Sequence, residues 1–206
     1  MSETTPDQVP EPVTGERFSR EDWYAEELAG RRYVDCEFHE VDLTEAVVSG
    51  SMFTDCVFGN VRFNAARITD SAFTGCAFKR CNFFDAEFVR CKLVGSTFGE
   101  CSLRPLTVTR GDWSYVGLAG ADLRDVTFEQ VKLREADLTG AKCAGAVFAG
   151  VDLSAAMLHR ADFSRADLRG SDLSAVDPAT VELVAAIVSP EQATVLVTSL
   201  GLVVRA

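Results

Sequence analysis

The chain has 206 residues, 47% of them hydrophobic, and a formal net charge of −11. That is enough apolar material for a packed core, which excludes wholesale disorder, and no apolar run reaches the roughly 18 residues that a membrane-spanning helix needs. The acidic balance disfavours nucleic-acid phosphates and anionic membranes as direct partners and favours a basic protein surface.

At the N-terminus, MSETTPDQVPEPVTG is acidic and proline-rich and has neither the positive region nor the apolar region of an export signal. Residues 1–15 are therefore expected to be a disordered leader, and the protein to be cytoplasmic. Seven cysteines, an odd number, then read as reduced thiols and not as a disulfide framework.

From Phe18 an internal repeat decides the fold. Stepping by five from Phe18 to Leu173 meets 32 positions, all apolar, and thirteen of the fourteen phenylalanines fall on this column. A second column two residues earlier is small: Cys36, Val41, Ala46, Ser51 and Cys56 begin it, and Ala156, Ala161, Ala166 and Ser171 end it. One large and one small residue, two apart, are the two inward positions on one face of an extended segment. The other positions are mostly polar, charged or Gly. A period of five matches neither a helix nor a simple strand. It matches a chain that turns a corner every five residues, with four sides making a square coil of twenty. Residues 16–177 form this rod.

Within the rod, Pro105 removes a backbone donor from the stack, which predicts a local kink or an unpaired coil face. Gly111 follows at a small inward position beside the bulky Trp113. After Asp177 the period stops, so residues 178–206 read as a C-terminal cap. Ser189-Pro190-Glu191-Gln192 has the signature of a helix N-terminus, and Gly201 ends a helix over about 190–200. Val184–Val188 and Leu202–Val204 read as short flanking strands. This piece is more apolar than a solvent-facing cap needs to be, which predicts homodimerisation through Val184, Ile187, Val195, Leu196, Leu200 and Leu202.

No catalytic constellation, cofactor site or metal site emerges. Six cysteines occupy the small inward column and Cys143 the large one, so they fill the core. Neither His39 nor His159 shares their column, as a closed metal site would need. Both histidines point outward with no partner suggesting a general base or a nucleophile pair. The glycines are scattered at corners and make no phosphate loop. The expectation is a binding surface and not an enzyme.

The repeated Ala-Asp-Leu units at Ala121–Leu123 and Ala136–Leu138, with Ala161-Asp162-Phe163 and Ala166-Asp167-Leu168, resemble the pentapeptide-repeat family. That resemblance implies an all-β, right-handed quadrilateral parallel β-helix, here followed by a small strand-helix-strand cap. The unbroken loop-free rod, the Cys101–Thr107 segment, Leu118–Arg124 and the Asp177-Pro178 entry to the tail are most similar to the mycobacterial fluoroquinolone-resistance (MfpA-type) proteins and, more distantly, to the plasmid-borne Qnr proteins. The resemblance implies a dimer that binds DNA gyrase, a type II topoisomerase, as an acidic rod imitating DNA. It also implies that the Asp before each central residue is often structural, bonding nearby backbone.

Charge is segregated along the chain: the net is −9 over residues 1–45, +3 over 46–111, −4 over 112–177 and −1 over the remainder. Two acidic surfaces are therefore expected to meet the partner. One comprises Asp122, Asp137, Asp152, Asp162, Asp167 and Asp172, which pairing of two rods would merge into one continuous patch. The other comprises Glu21, Asp22, Glu26, Glu27, Glu37 and Asp42 at each far end. Contact with the ATPase region of gyrase without DNA mimicry, or a scaffold role for a different protein partner, are the alternatives.

Overall fold

The computed structural model describes residues 11–205. The chain forms a parallel β-solenoid with one short C-terminal helix, and every paired strand meets its partner at a separation of twenty residues. Val13 pairs with Tyr33, Phe38 with Phe58 and Phe128 with Phe148. Most strands are three residues long with the middle side chain buried, as in Glu37–His39 and Ala77–Lys79. The five-residue column and the small column both face inward. Phe58, Phe83, Leu93 and Phe128 are completely buried, as are Cys36, Ala46 and Val61.

Parallel stacking places like side chains above one another. Phe38, Phe58, Phe78 and Phe98 form a ladder of stacked rings with centroids 4.7, 4.8 and 4.8 Å apart. Phe53 and Phe73 stack at 4.5 Å, and Phe63 and Phe83 at 4.7 Å. These separations follow the hydrogen-bonding distance between strands, about 4.8 Å. Trp113 ends the ladder, stacked on Phe98 at 5.7 Å. Beyond it the column is mostly leucine.

Most corners are turned by one residue with positive φ at every fifth position, for example Arg20, Asp35, Glu40, Asp70, Arg90 and Gln130. For a non-glycine residue this conformation costs about 1 kcal/mol or more. The compensation is visible: most corner N–H groups donate to the next coil, as Arg20 does to the His39 carbonyl and Glu40 to the Gly59 carbonyl, both at 2.9 Å.

Pro105 stands at a corner position and cannot adopt positive φ; the Arg104–Pro105 peptide is cis. The predicted unpaired face is present there. Among the described residues no backbone hydrogen bond joins Ser102–Pro105 to Asp122–Asp125 below it. Cys101 and Ala121, which flank this seam, are only partly buried. The neighbouring side stays continuous, because Leu106–Asp112 pairs with both Ala86–Lys92 and Val126–Glu129.

Both ends differ from expectation. Val13–Thr14 is a strand in the first coil, so the rod begins inside the stretch read as leader; residues 1–10 of that leader lie outside the described residues. At the other end the rod does not stop at Asp177. Asp177 to Val181 make a tight turn around Pro178, and then Glu182 bridges Asp162 and Ile187 bridges Asp167, again twenty apart. Pro178 occupies a column position and so hides one further coil. The helix spans Pro190–Ser199, as the sequence indicates. The expected flanking strands are absent: Val184–Val188 belongs to the last coil, and Leu202–Val204 has no strand partner.

Phe78→Ala should destabilise the protein by about 3–5 kcal/mol in chemical denaturation, as expected for loss of a buried aromatic. Phe84, the one phenylalanine off the column, is 52% exposed. Phe84→Ala in the same assay should change stability little.

Candidate functional site

The aspartates of the repeats are built into the backbone. Each accepts, through Oδ1, the N–H two residues on: Asp122 from Arg124 (3.4 Å), Asp137 from Thr139 (2.9 Å), Asp152 from Ser154 (3.1 Å) and Asp162 from Ser164 (2.9 Å). Asp167 accepts from Arg169 (3.2 Å) and Asp172 from Ser174 (2.8 Å). Asp22 and Asp42 do the same with Tyr24 and Thr44. One carboxylate oxygen is thus used locally, and the other is left for an arginine, as in Asp42, Asp122 and Asp167, or for another partner.

The stacking decides which aspartates share a side. The first side carries Asp22, Asp42, Arg62, Asn82 and Ser102, then Asp122, Lys142, Asp162 and Glu182. Asp167 lies on the second side between Val147 and Ile187, Asp152 and Asp172 adjoin on the third, and Asp137 lies on the fourth between Gly117 and Met157. The continuous C-terminal patch expected from sequence is therefore a belt around all four sides, with Asp152 and Asp172 as its only direct stack neighbours. Corresponding positions share a side only when separated by a multiple of twenty, and consecutive aspartates of the belt are separated by five, ten or fifteen.

Arginines neutralise part of the belt. Arg124 binds both oxygens of Asp122 (2.8 and 2.7 Å), with Arg104 reaching Asp122 across the seam at 3.4 Å. Arg169 grips Asp167 in the same way, and Arg134 stands 3.5 Å from Asp152. The Arg124 contact holds the Asp122 carboxyl well below the usual range, at about 2. Asp137, Asp162 and Asp172 form no ion pair among the described residues.

At the N-terminal end, Arg20, Glu21, Asp22, Glu40, Asp42, Asn60 and Arg62 line a groove of about 420 Å³. Arg20 pairs with Glu40 at 2.9 Å and Arg62 with Asp42 at 2.6 Å. Glu21 and Asp22 are exposed there and unpaired among the described residues. Glu40 was not singled out from sequence, although its spacing of twenty from Arg20 carries the signal. Glu26 and Glu27 are exposed on the adjoining side, and Glu37 lies beyond, paired with Arg17 at 2.8 Å.

The last coil is partly capped by the helix. Ser189 and Gln192 form a reciprocal capping box, and the Gln192 side-chain amide donates to the Leu168 and Ser171 carbonyls at 2.7 and 2.8 Å. Gln192 therefore fastens the helix to the rod, a role its sequence position does not reveal. Of the residues expected at a dimer contact, Leu196 packs against the rod's own core. Val184, Ile187, Val195, Leu200 and Leu202 are exposed, together with Val203 at 80% and Val204.

The thiols offer little chemistry. Cys76 donates to the Phe53 carbonyl at 3.4 Å and Cys91 to the Ile68 carbonyl at 3.3 Å. Burial pushes the Cys91 thiol up to about 11, far from the thiolate form that nucleophilic attack requires. Among the described residues no three His, Cys, Asp or Glu side chains are grouped to hold a metal. Among the described residues the ionic neighbour of the His39 imidazole is the exposed Glu40, at 3.4 Å.

Two family models match the chain: "Pentapeptide repeat region" over residues 81–156 and "Pentapeptide repeats (8 copies)" over residues 62–99. No curated protein matches. Among solved structures, a trypsin-treated variant of QnrB1, a plasmid-mediated fluoroquinolone resistance protein, is 25% identical, with a TM-score of 0.72 over 94% of this chain and 97% of that one. Full-length QnrB1 shares the fold at 20% identity, with a TM-score of 0.72 over 93% of this chain and 100% of that one.

The Asp42 carboxyl is held at about 2, first by the Arg62 hydrogen bond and then by Thr44, against opposing burial. A lowered folded value contributes stability that is fully present above the unfolded value of about 3.9 and is lost as pH falls through about 2. Arg62→Ala should therefore raise the Asp42 midpoint towards the ordinary value in a carboxyl NMR titration. It should also reduce the loss of stability between pH 4 and pH 2.

Proposed function

We propose that this chain, a member of the pentapeptide-repeat proteins, is a non-catalytic binding rod that engages DNA gyrase and protects it from, or modulates its response to, fluoroquinolones. The observation carrying this reading is the likeness to the QnrB1 rod over 94% of this chain and 97% of that one. The rod presents no enclosed catalytic cleft in its described residues and does present unpaired carboxylates at both ends. A basic protein surface that ordinarily holds DNA is attracted to such carboxylates and gains counterion release on contact.

The charge pattern refines the mimicry. A duplex offers phosphates continuously, whereas here Asp137, Asp162 and Asp172 remain unpaired near one end, Glu21 and Asp22 near the other, and the waist is basic. The acidic segments imitate DNA separately, with the waist as an interruption. Engagement of the gyrase ATPase region without mimicry is the second reading, and it is favoured by the Asx-turn anchoring and arginine pairing of several carboxylates.

Purified protein should inhibit gyrase supercoiling or reduce fluoroquinolone-stabilised DNA cleavage, and a salt-sensitive effect would support the electrostatic contact. No effect across a wide concentration range, with pull-downs returning partners other than topoisomerases, would replace gyrase binding with a scaffold role.

The same proposal includes a homodimer that buries the exposed apolar end of the rod. Leu200→Asp combined with Leu202→Asp should convert a dimeric light-scattering mass to a monomeric one and leave the circular dichroism spectrum intact, since both residues are exposed in the single chain. An unchanged dimer mass would remove this surface from the assembly.

A further inference from the structure

The basic waist contains a recess that the acidic-rod reading does not use. It measures about 420 Å³ and is lined by Arg90, Lys92, Gly111, Asp112, Gln130 and Lys132. It sits where the two long strands, Ala86–Lys92 and Leu106–Asp112, run through a corner from one side to the next. The strands approach so closely that a Cβ on Gly111 would lie 2.1 Å from the Cys91 carbonyl oxygen, and Gly111 has φ +107°. A side chain there would not fit, so part of the floor is bare backbone.

The rim is cationic. Lys92, Asp112 and Lys132 stack in successive coils along one side, placing the two lysines about 10 Å apart at the usual strand spacing. Arg90 and Arg110 occupy the adjoining corner. Arg90 is tied to Asp70 through two contacts of 2.6 Å, and Arg110 donates to the Gln130 side-chain carbonyl at 3.2 Å. These contacts orient both guanidinium groups. Asp112 points into its own turn, accepting from Ser114 N–H at 3.1 Å and Ser114 Oγ at 2.6 Å. Among the described residues Lys92, Arg110 and Lys132 form no ion pair. Four cations, Arg90, Lys92, Arg110 and Lys132, thus gather around two engaged carboxylates, Asp70 and Asp112, and a third, Asp152, stacks on the far side of Lys132, where Ser154 N–H and Arg134 engage it.

We infer that this recess binds a compact phosphate-type oxyanion. The size of the anion follows from the charge layout. At physiological salt a charge is felt over about 8 Å, so a small anion in the recess responds mainly to the surrounding cations. A long polyanion would extend over the acidic ends of a chain carrying −11 and be repelled there. Lysine ammonium groups and oriented guanidinium groups supply charge-assisted donors to phosphate oxygens. This site is independent of gyrase binding and of the C-terminal assembly.

The test is titration of inorganic pyrophosphate into the full-length protein, followed by amide NMR shifts and calorimetry. Saturable shifts centred on Lys92, Gly111 and Lys132 are expected. Lys92→Glu and Lys132→Glu should each weaken binding by about tenfold or more, while Lys79→Glu, on another side, leaves it unchanged. A duplex oligonucleotide at the same salt should fail to compete. Non-saturating shifts, wild-type affinity in both recess variants of unchanged circular dichroism, or effective competition by the duplex would each overturn the inference.

Discussion

The separation between neighbouring parallel strands, about 4.8 Å, governs almost everything in this protein. Because each coil takes twenty residues, every side chain has a counterpart directly above and below it. Planar rings tolerate this repetition, and the Phe38–Phe98 ladder has ring separations of 4.7 to 4.8 Å. The same repetition explains the small column. Two bulky residues per side would overfill a coil whose interior is set by five-residue sides, so Ala, Cys, Ser and Val stand beside each Phe or Leu. The cysteines are present because they are small and apolar enough for that place.

The constraint also shapes the surface. A charge is best partnered by the opposite charge twenty residues away, and Arg17–Glu37, Arg20–Glu40, Asp42–Arg62, Arg67–Glu87 and Asp70–Arg90 all follow that rule. These exposed pairs contribute little stability individually. Their larger effect is to determine which charges remain for a partner. The bases of the central coils do not all make a basic waist, because Arg62, Arg67, Arg90 and Arg104 are paired with carboxylates of adjacent coils. Net charge along the sequence therefore overstates the contrast between waist and ends.

The fold was legible from the sequence because its period is short and strict. The inward columns, the core role of the cysteines, the helix start at Ser189 and the unpaired face at Pro105 all follow from local rules. The two ends were less legible. Val13 continues the five-step column but lies in a polar, proline-rich stretch, while Pro178 fills one column position and masks a further coil. Within one chain the C-terminal aspartates are distributed over all four sides, and the continuous patch expected from pairing of two rods concerns the dimer. In this fold Asp162 and Asp167 face different sides, whereas Asp152 and Asp172 are neighbours. Gln192 could not have been recognised as the fastener of the helix, since the carbonyls it meets belong to Leu168 and Ser171 and carry no sequence signature.

The seam below Pro105 separates the rod into two electrostatically different parts. Above it lie the aromatic ladder, the stacked ion pairs and the N-terminal acidic groove. Below it lie the leucine-rich coils, the aspartate belt and the apolar end. On the first side the connection across the seam is made by Arg104, which reaches Asp122 at 3.4 Å and Asp125 at 3.7 Å, in place of backbone hydrogen bonds. A partner that competes for those carboxylates would weaken this link, whereas one that binds only the N-terminal groove would leave it intact.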